Sequence, residues 1–177
     1  MLNFINQALG AATIAGFAVI VVLIVAISQG KKNRVIHFFG SHAIFFSFLI
    51  SLGALMGSLF YSEVLGYPPC SLCWYQRIFM FPIVIMLGMA LYERRTDVRD
   101  YGIVLGIFGG VVAFYHTYLQ WGGTPLASCG VGPGQVSCAQ RFVFLWDFLT
   151  LPLMSLAAFL LIIFILYTHK IYEHKKN

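Results

Sequence analysis

Six residues of this chain carry the chemistry that side chains of their type can do. The cysteines fall into two pairs, Cys70 with Cys73 and Cys129 with Cys138, and Arg77 and His116 are the polar residues that interrupt otherwise apolar stretches beside them. Paired thiols outside the cytoplasm can staple loops, ligate zinc or relay electrons. Zinc fits the Cys70–Cys73 spacing, but the stretch from Cys129 to Cys138 exceeds the usual separation of roughly two to four residues. A staple is a poor account of Cys70–Cys73, because a disulfide stabilises less as the ring it closes shortens. Pro68 and Pro69 bar any helix from running through them, so a new helix opens near Cys73. There the free N–H groups of the first turn favour a thiolate. Arg77 is one turn further on, on the same helical face, and puts a fixed positive charge close to that sulfur.

The elements that hold these residues follow from composition. Of 177 residues, 60% are hydrophobic and 10% charged, with a net charge of +5; the mean hydropathy is +0.86. So little polar material cannot coat a water-soluble domain, and it excludes disorder equally. The basic residues sit in short clusters between apolar runs, a membrane pattern and not a nucleic-acid surface. Gaps in the charge distribution predict five transmembrane helices near 8–28, 40–62, 73–92, 101–121 and 148–168. The fold class is thus an all-α integral membrane protein with five spans. The first helix is expected to be retained and not cleaved as a signal, since Lys31, Lys32 and Arg34 follow its apolar run instead of preceding it.

Five helices place Lys31, Lys32, Arg34, Arg94, Arg95, Arg99, Lys170, Lys175 and Lys176 on one side, which the positive-inside rule makes cytoplasmic. The expected location is the cytoplasmic (inner) membrane, with the N-terminus and both cysteine loops outside and the C-terminus inside. Trp74, Trp121 and Trp146 then mark the outer interface. Gly53 and Gly57, and likewise Gly102, Gly106 and Gly110, recur every fourth residue, which predicts close helix packing.

The run Cys70-Ser-Leu-Cys-Trp-Tyr-Gln-Arg77 resembles the signature of the DsbB/BdbC family of quinone-dependent disulfide-bond formation proteins. The resemblance continues through His116-Thr-Tyr-Leu-Gln120, Cys129, Cys138-Ala-Gln-Arg141 and Trp146-Asp-Phe-Leu149, and covers about residues 40–168. The short second loop is similar to the BdbC-like branch. The resemblance implies a four-helix transmembrane bundle plus one additional N-terminal helix, with the extra helix and its loop at 1–34, a four-helix redox domain at 35–169 and a basic tail at 170–177. It implies an oxidoreductase in which a reduced DsbA/BdbD-like thioredoxin-fold oxidase attacks the Cys129–Cys138 disulfide at Cys129. Cys138 then exchanges with Cys70, and Cys73 is left as the thiolate facing quinone. Arg77 would stabilise that thiolate and charge developing on the quinone oxygen, and His116 would lie near the quinone. The implied acceptor is ubiquinone or menaquinone from the membrane pool, with menaquinone favoured; no metal and no nucleic acid is expected. DsbA-type oxidants have potentials near about −120 mV, so reoxidising them requires a strongly oxidising final acceptor.

Other readings of the same residues are a vitamin K epoxide reductase-like quinone reductase, or a disulfide-stapled transporter or assembly factor without redox turnover. Arg141 suits either the exchange or a lipid anchor. This chain departs from the longer-looped branch in several places. It has the extra first helix, Gly130, Gly132, Pro133 and Gly134 in place of an amphipathic segment, a longer run before Trp146 and Asp147, and Gln76 where an acid is common.

Overall fold

The computed structural model describes residues 2–29, 34–125, 129, 136–146 and 148–176. Lys31, Lys32, Gly130, Gly132, Pro133, Gly134 and Asp147 lie outside the described residues.

Six α-helices follow one another: α1 (Leu2–Ser28), α2 (Arg34–Ser41), α3 (Ala43–Leu59), α4 (Ser71–Glu93), α5 (Arg99–Gln120) and α6 (Leu151–Lys176). A π-helical turn, Phe60–Val64, extends α3. Five of these helices are long and apolar enough to cross a bilayer: Asn3–Ser28, Ala43–Val64, Ser71–Glu93, Arg99–Gln120 and Leu151–Glu173. The chain is a multi-pass membrane protein with these five candidate spans.

The expected second span, 40–62, is found at Ala43–Val64, and a separate short helix precedes it. Arg34–Ser41 forms the separate helix α2, with Ile36 and Gly40 turned inward, before α3 begins. The last span starts at Leu151, three residues later than residue 148, because Phe144–Leu145 (β1) and Leu149–Thr150 (β2) pair as a small antiparallel hairpin. Trp146 turns that hairpin with a positive φ of 50°, a left-handed conformation that non-glycine residues adopt rarely.

Why α1 docks where it does is visible in its burial. Gly10, Thr13, Gly16, Ile20, Leu23 and Ala26 are buried, a spacing that keeps one face inward, while Val21, Val22, Ile24 and Val25 face outward. Lipid tails are as apolar as these side chains, so helices adhere in a bilayer by close van der Waals fit. Gly16 supplies such a fit: a Cβ there would stand 2.9 Å from Leu161 Cδ1 of α6. α6 is the central post. Its Phe159, Ile162, Ile165 and Leu166 are fully buried, together with Ile83 and Leu87 of α4.

The glycine stripe of α5 packs against α6 in part as its spacing predicts. Added Cβ atoms at Gly102 and Gly106 would meet Leu166 and Ile163 at 2.8 and 2.9 Å, whereas one at Gly110 would make ordinary contact with Phe159 at 3.7 Å; the tightest approach is at Gly109, outside the four-residue repeat, 2.3 Å from Phe159. Gly53 and Gly57 of α3 do not follow that expectation. A Cβ at either would find nothing within 4 Å, because both border a cavity and not a neighbouring helix.

Candidate functional site

The site lies where α4 begins. Cys70 is the N-cap residue, extended at φ −73° and ψ 170° after Pro68 and Pro69, and Ser71 starts the helix. Cys73 is therefore in the first turn, as the prolines require. Its sulfur lies 3.2 Å from that of Cys70, both as thiols. On the opposite loop Cys129 and Cys138 form a disulfide with their Cα atoms 5.8 Å apart. Cys70, Cys138 and Leu119 share one buried cluster, against which Cys73 and Cys129 pack. The two loops, far apart in sequence, thus bring all four sulfurs to one end of the bundle.

His116 joins the pairs. It is 2% exposed, and its Nε2 is 3.6 Å from Cys70 Sγ and 3.2 Å from the carbonyl oxygen of Cys138. Its Nδ1 is 2.9 Å from Nε2 of Gln76. With the Gln76 amide donating to Nδ1, the neutral ring carries its proton on Nε2, facing Cys70 and Cys138. The thiol of Cys70 is held well below the ordinary thiol range. The Cys73 hydrogen bond pulls it down and burial pushes the other way, with His116 adding to the pull. Cys70, Cys73 and His116 place their donor atoms within 4.8 Å of one another, close enough to hold a metal ion by distance alone. The Nε2 proton directs the imidazole lone pair toward Gln76, however, so this geometry suits thiol chemistry better than a zinc cage.

Arg77 lies one turn below Cys73 and is 5% exposed. Its Nε donates to Ser58 Oγ at 2.9 Å, and its Nη2 donates to the Ser58 carbonyl at 2.8 Å and to Ser62 Oγ at 2.7 Å. The ring of Trp74 lies 5.3 Å from the guanidinium carbon. All these partners are neutral, and among the described residues no carboxylate pairs with this charge. The π turn begins two residues after Ser58; such turns widen a helix locally and recur at functional sites.

Cys70, Cys73, Gln76, Arg77 and His116 all border one cavity of about 390 Å³, lined by residues of α1, α3, α4, α5 and α6. Its volume falls in the range of small-molecule sites, roughly 300–1,000 Å³. Met80, Leu55, Ala158 and Leu161 make much of it apolar. Gln120, at its edge, donates through Nε2 to the Gln140 carbonyl at 3.0 Å. Its Oε1 is buried without a hydrogen-bond partner among the described residues.

Arg141 is not among the residues lining this cavity. Its Nε donates to the Gln120 carbonyl at 2.6 Å and its guanidinium stacks over Phe144 at 4.8 Å, which ties the second loop to the end of α5. Gln76, Gln120, Ser58 and Ser62 were not singled out as site residues by the sequence. The signal was there for the serines: two hydroxyls four residues apart, one face of an apolar span.

Comparison with known proteins shows which family the chain resembles. The family model for the disulfide bond formation protein DsbB matches residues 40–170. Disulfide bond formation protein C of Bacillus subtilis (strain 168) is 36% identical over 135 residues, 75% of this chain and 91% of that protein. A probable disulfide formation protein of Chlamydia pneumoniae is 34% identical over 139 residues, covering 78% and 98%. The SPbeta prophage-derived disulfide bond formation protein B of Bacillus subtilis (strain 168) is 42% identical over 115 residues, covering 65% and 76%. No solved structure matches the chain. With its two cysteine pairs gathered at one end of a helical membrane bundle, this chain belongs to the DsbB family of disulfide bond formation proteins, as a disulfide-forming oxidoreductase.

Proposed function

We propose that the protein takes electrons from a reduced thioredoxin-fold dithiol oxidase outside the cytoplasmic membrane and delivers them to a membrane quinone, menaquinone being favoured. The observation that carries this reading is a buried arginine without a carboxylate partner on the same mostly apolar cavity as Cys73. A guanidinium of that kind holds an anion or a polarised oxygen well, because no carboxylate touches it directly; Glu63 reaches it only through Ser62, which donates to Glu63 Oε1 at 2.9 Å. The cavity's size and apolar wall fit a quinone ring.

The overall reaction balances as dithiol plus quinone giving disulfide plus hydroquinone. A bound quinone supplies a sink for two electrons and two protons. The chain supplies the rest. The partner's thiolate attacks Cys129 and releases Cys138 as thiolate. Cys138 attacks Cys70 of the oxidised Cys70–Cys73 pair, and the bond between those two breaks with its electrons on Cys73. Arg77 holds that anion at the cavity. His116, oriented by Gln76, offers its Nε2 proton where Cys70 and Cys138 meet. In this reading the domain limits are 1–34, 35–169 and 170–177. The cysteine end and the N-terminus face outward, and the C-terminus with the basic clusters faces the cytoplasm, following the positive-inside rule.

The test uses the purified full chain with a reduced thioredoxin-fold oxidase as electron donor, with and without added quinone. Oxidation of the donor should require quinone, and Cys73→Ser should abolish it while the helical content is kept. Quinone-independent oxidation that survives Cys73→Ser would reject the assignment.

A further inference from the structure

The family match starts at residue 40, so α1 lies outside it. Yet α1 borders the same cavity as Cys73 and Arg77, through Leu9, Ala12 and Thr13. Three observations fix it there. Tyr61 of the π turn, 4% exposed, donates its hydroxyl to Asn6 Oδ1 at 2.6 Å. Gly10 lets Trp146 and Leu149 approach so closely that a Cβ would stand 3.1 Å from both. Gly16 does the same for Leu161, which itself lines the cavity. From α3, Gly53 and Gly57 border the same cavity, and a Cβ at either would meet nothing within 4 Å. α1 thus brings the small residue Ala12, and α3 the two glycines, to one open space. Helix interiors avoid glycine unless close approach or free space requires it, since each costs roughly 1 kcal/mol against alanine. Here it is space that the glycines keep.

We propose that α1 is a wall of the acceptor site, and that Ala12 with Gly53 and Gly57 sets the width of the gap that admits the quinone ring, so that α1 selects acceptors by ring size. This rests on the quinone reading above. Side chains at Ala12 narrow the gap without touching the cysteines, Arg77 or His116. The effect then falls on acceptor binding and not on thiol exchange.

The experiment measures binding directly, by quenching of the tryptophan fluorescence of the full-length protein with decyl-benzoquinone and with menadione, a two-ring quinone. Quinone reduction with dithiothreitol as donor is followed in parallel. Ala12→Phe places a large side chain at an exposed position of α1, where no core packing is lost. Val22→Phe, at a position 49% exposed and away from the cavity, is the control. Ala12→Phe should raise the dissociation constant for menadione by roughly tenfold, about 1.4 kcal/mol, and that for decyl-benzoquinone less. KM should follow, with kcat changed by less than roughly twofold. Val22→Phe should leave both unchanged. Equal binding by Ala12→Phe and the unmodified chain would overturn the proposal while leaving the quinone reading intact. Failure of the unmodified chain to bind or reduce either quinone would overturn both.

Discussion

The two ends of the bundle treat charge in opposite ways. At the basic end Arg99 is bonded to Glu173 of α6, which also accepts from Thr96 at 3.0 Å. Lys170 is 3.4 Å from Asp100, and His169, 6% exposed, sits between the Gly40 carbonyl at 2.6 Å and Glu173 at 3.3 Å. Arg99 and Lys170 there each meet a carboxylate, and with the His169–Gly40 bond they tie α2, α5 and α6. At the cysteine end Arg77 donates, among the described residues, to neutral acceptors, Gln120 Oε1 has no hydrogen-bond partner among them, and both face a cavity. Neutralised charge fastens helices; the charge of Arg77 borders open space instead. The glycines divide the same way. Those of α5 are filled by α6, and those of α3 open on space.

The contrast breaks most sharply if the two arginines are exchanged in importance. Arg77→Met should lower kcat/KM for quinone by roughly a hundredfold or more, about 2.7 kcal/mol, with thiol content unchanged. A loss under tenfold, measured by quinone reduction at fixed donor, would remove Arg77 from the chemistry. The glycines come next. Gly109→Val drives a branched side chain into Phe159 and should destabilise by about 1–3 kcal/mol, read as a lower midpoint of thermal unfolding in detergent. Gly57→Ala, which meets open space, should leave that midpoint unchanged or raise it; the opposite ranking would show that the cavity is not real.

Titration sharpens the cysteine end. Because Cys70 is held below the ordinary thiol range, its thiolate is kept as pH falls through neutrality and is lost only in acid. His116→Ala removes one of the groups that lower it, so the midpoint of thiolate ultraviolet absorbance in the reduced protein should move up by about one pH unit. Gln76→Leu, which frees the ring without removing it, should move it less. No movement in either would separate His116 from the thiols. The smallest effect belongs to the basic end. Arg99→Met should cost about 1 kcal/mol or less, as partly exposed ion pairs do, and leave quinone reduction untouched.

Much of the site was legible before any coordinates. The Pro68-Pro69 break, the Cys70–Cys73 spacing and Arg77 four residues on depend only on helix geometry and local backbone sterics, and α4 begins where they demand. The helices were legible for the same reason: the bilayer sets their length and polarity. The hairpin Phe144–Thr150 was not, since it hangs on a left-handed Trp146 whose ring rests against Gly10, a contact remote in sequence.

The order of charges and apolar runs by itself determined a five-span helical protein with its thiols at one end, because transfer of charge into lipid is costly enough to overrule local preference. Only the tertiary structure decided which face of each helix meets which. That choice turned Gln76 toward His116, sent Arg77 to the serines of α3, and made a cavity of Gly53 and Gly57, where spacing alone had suggested a seam. A stripe of small residues shows where a helix is slender. What fills the space beside it is settled by the volume of side chains that the chain delivers from elsewhere.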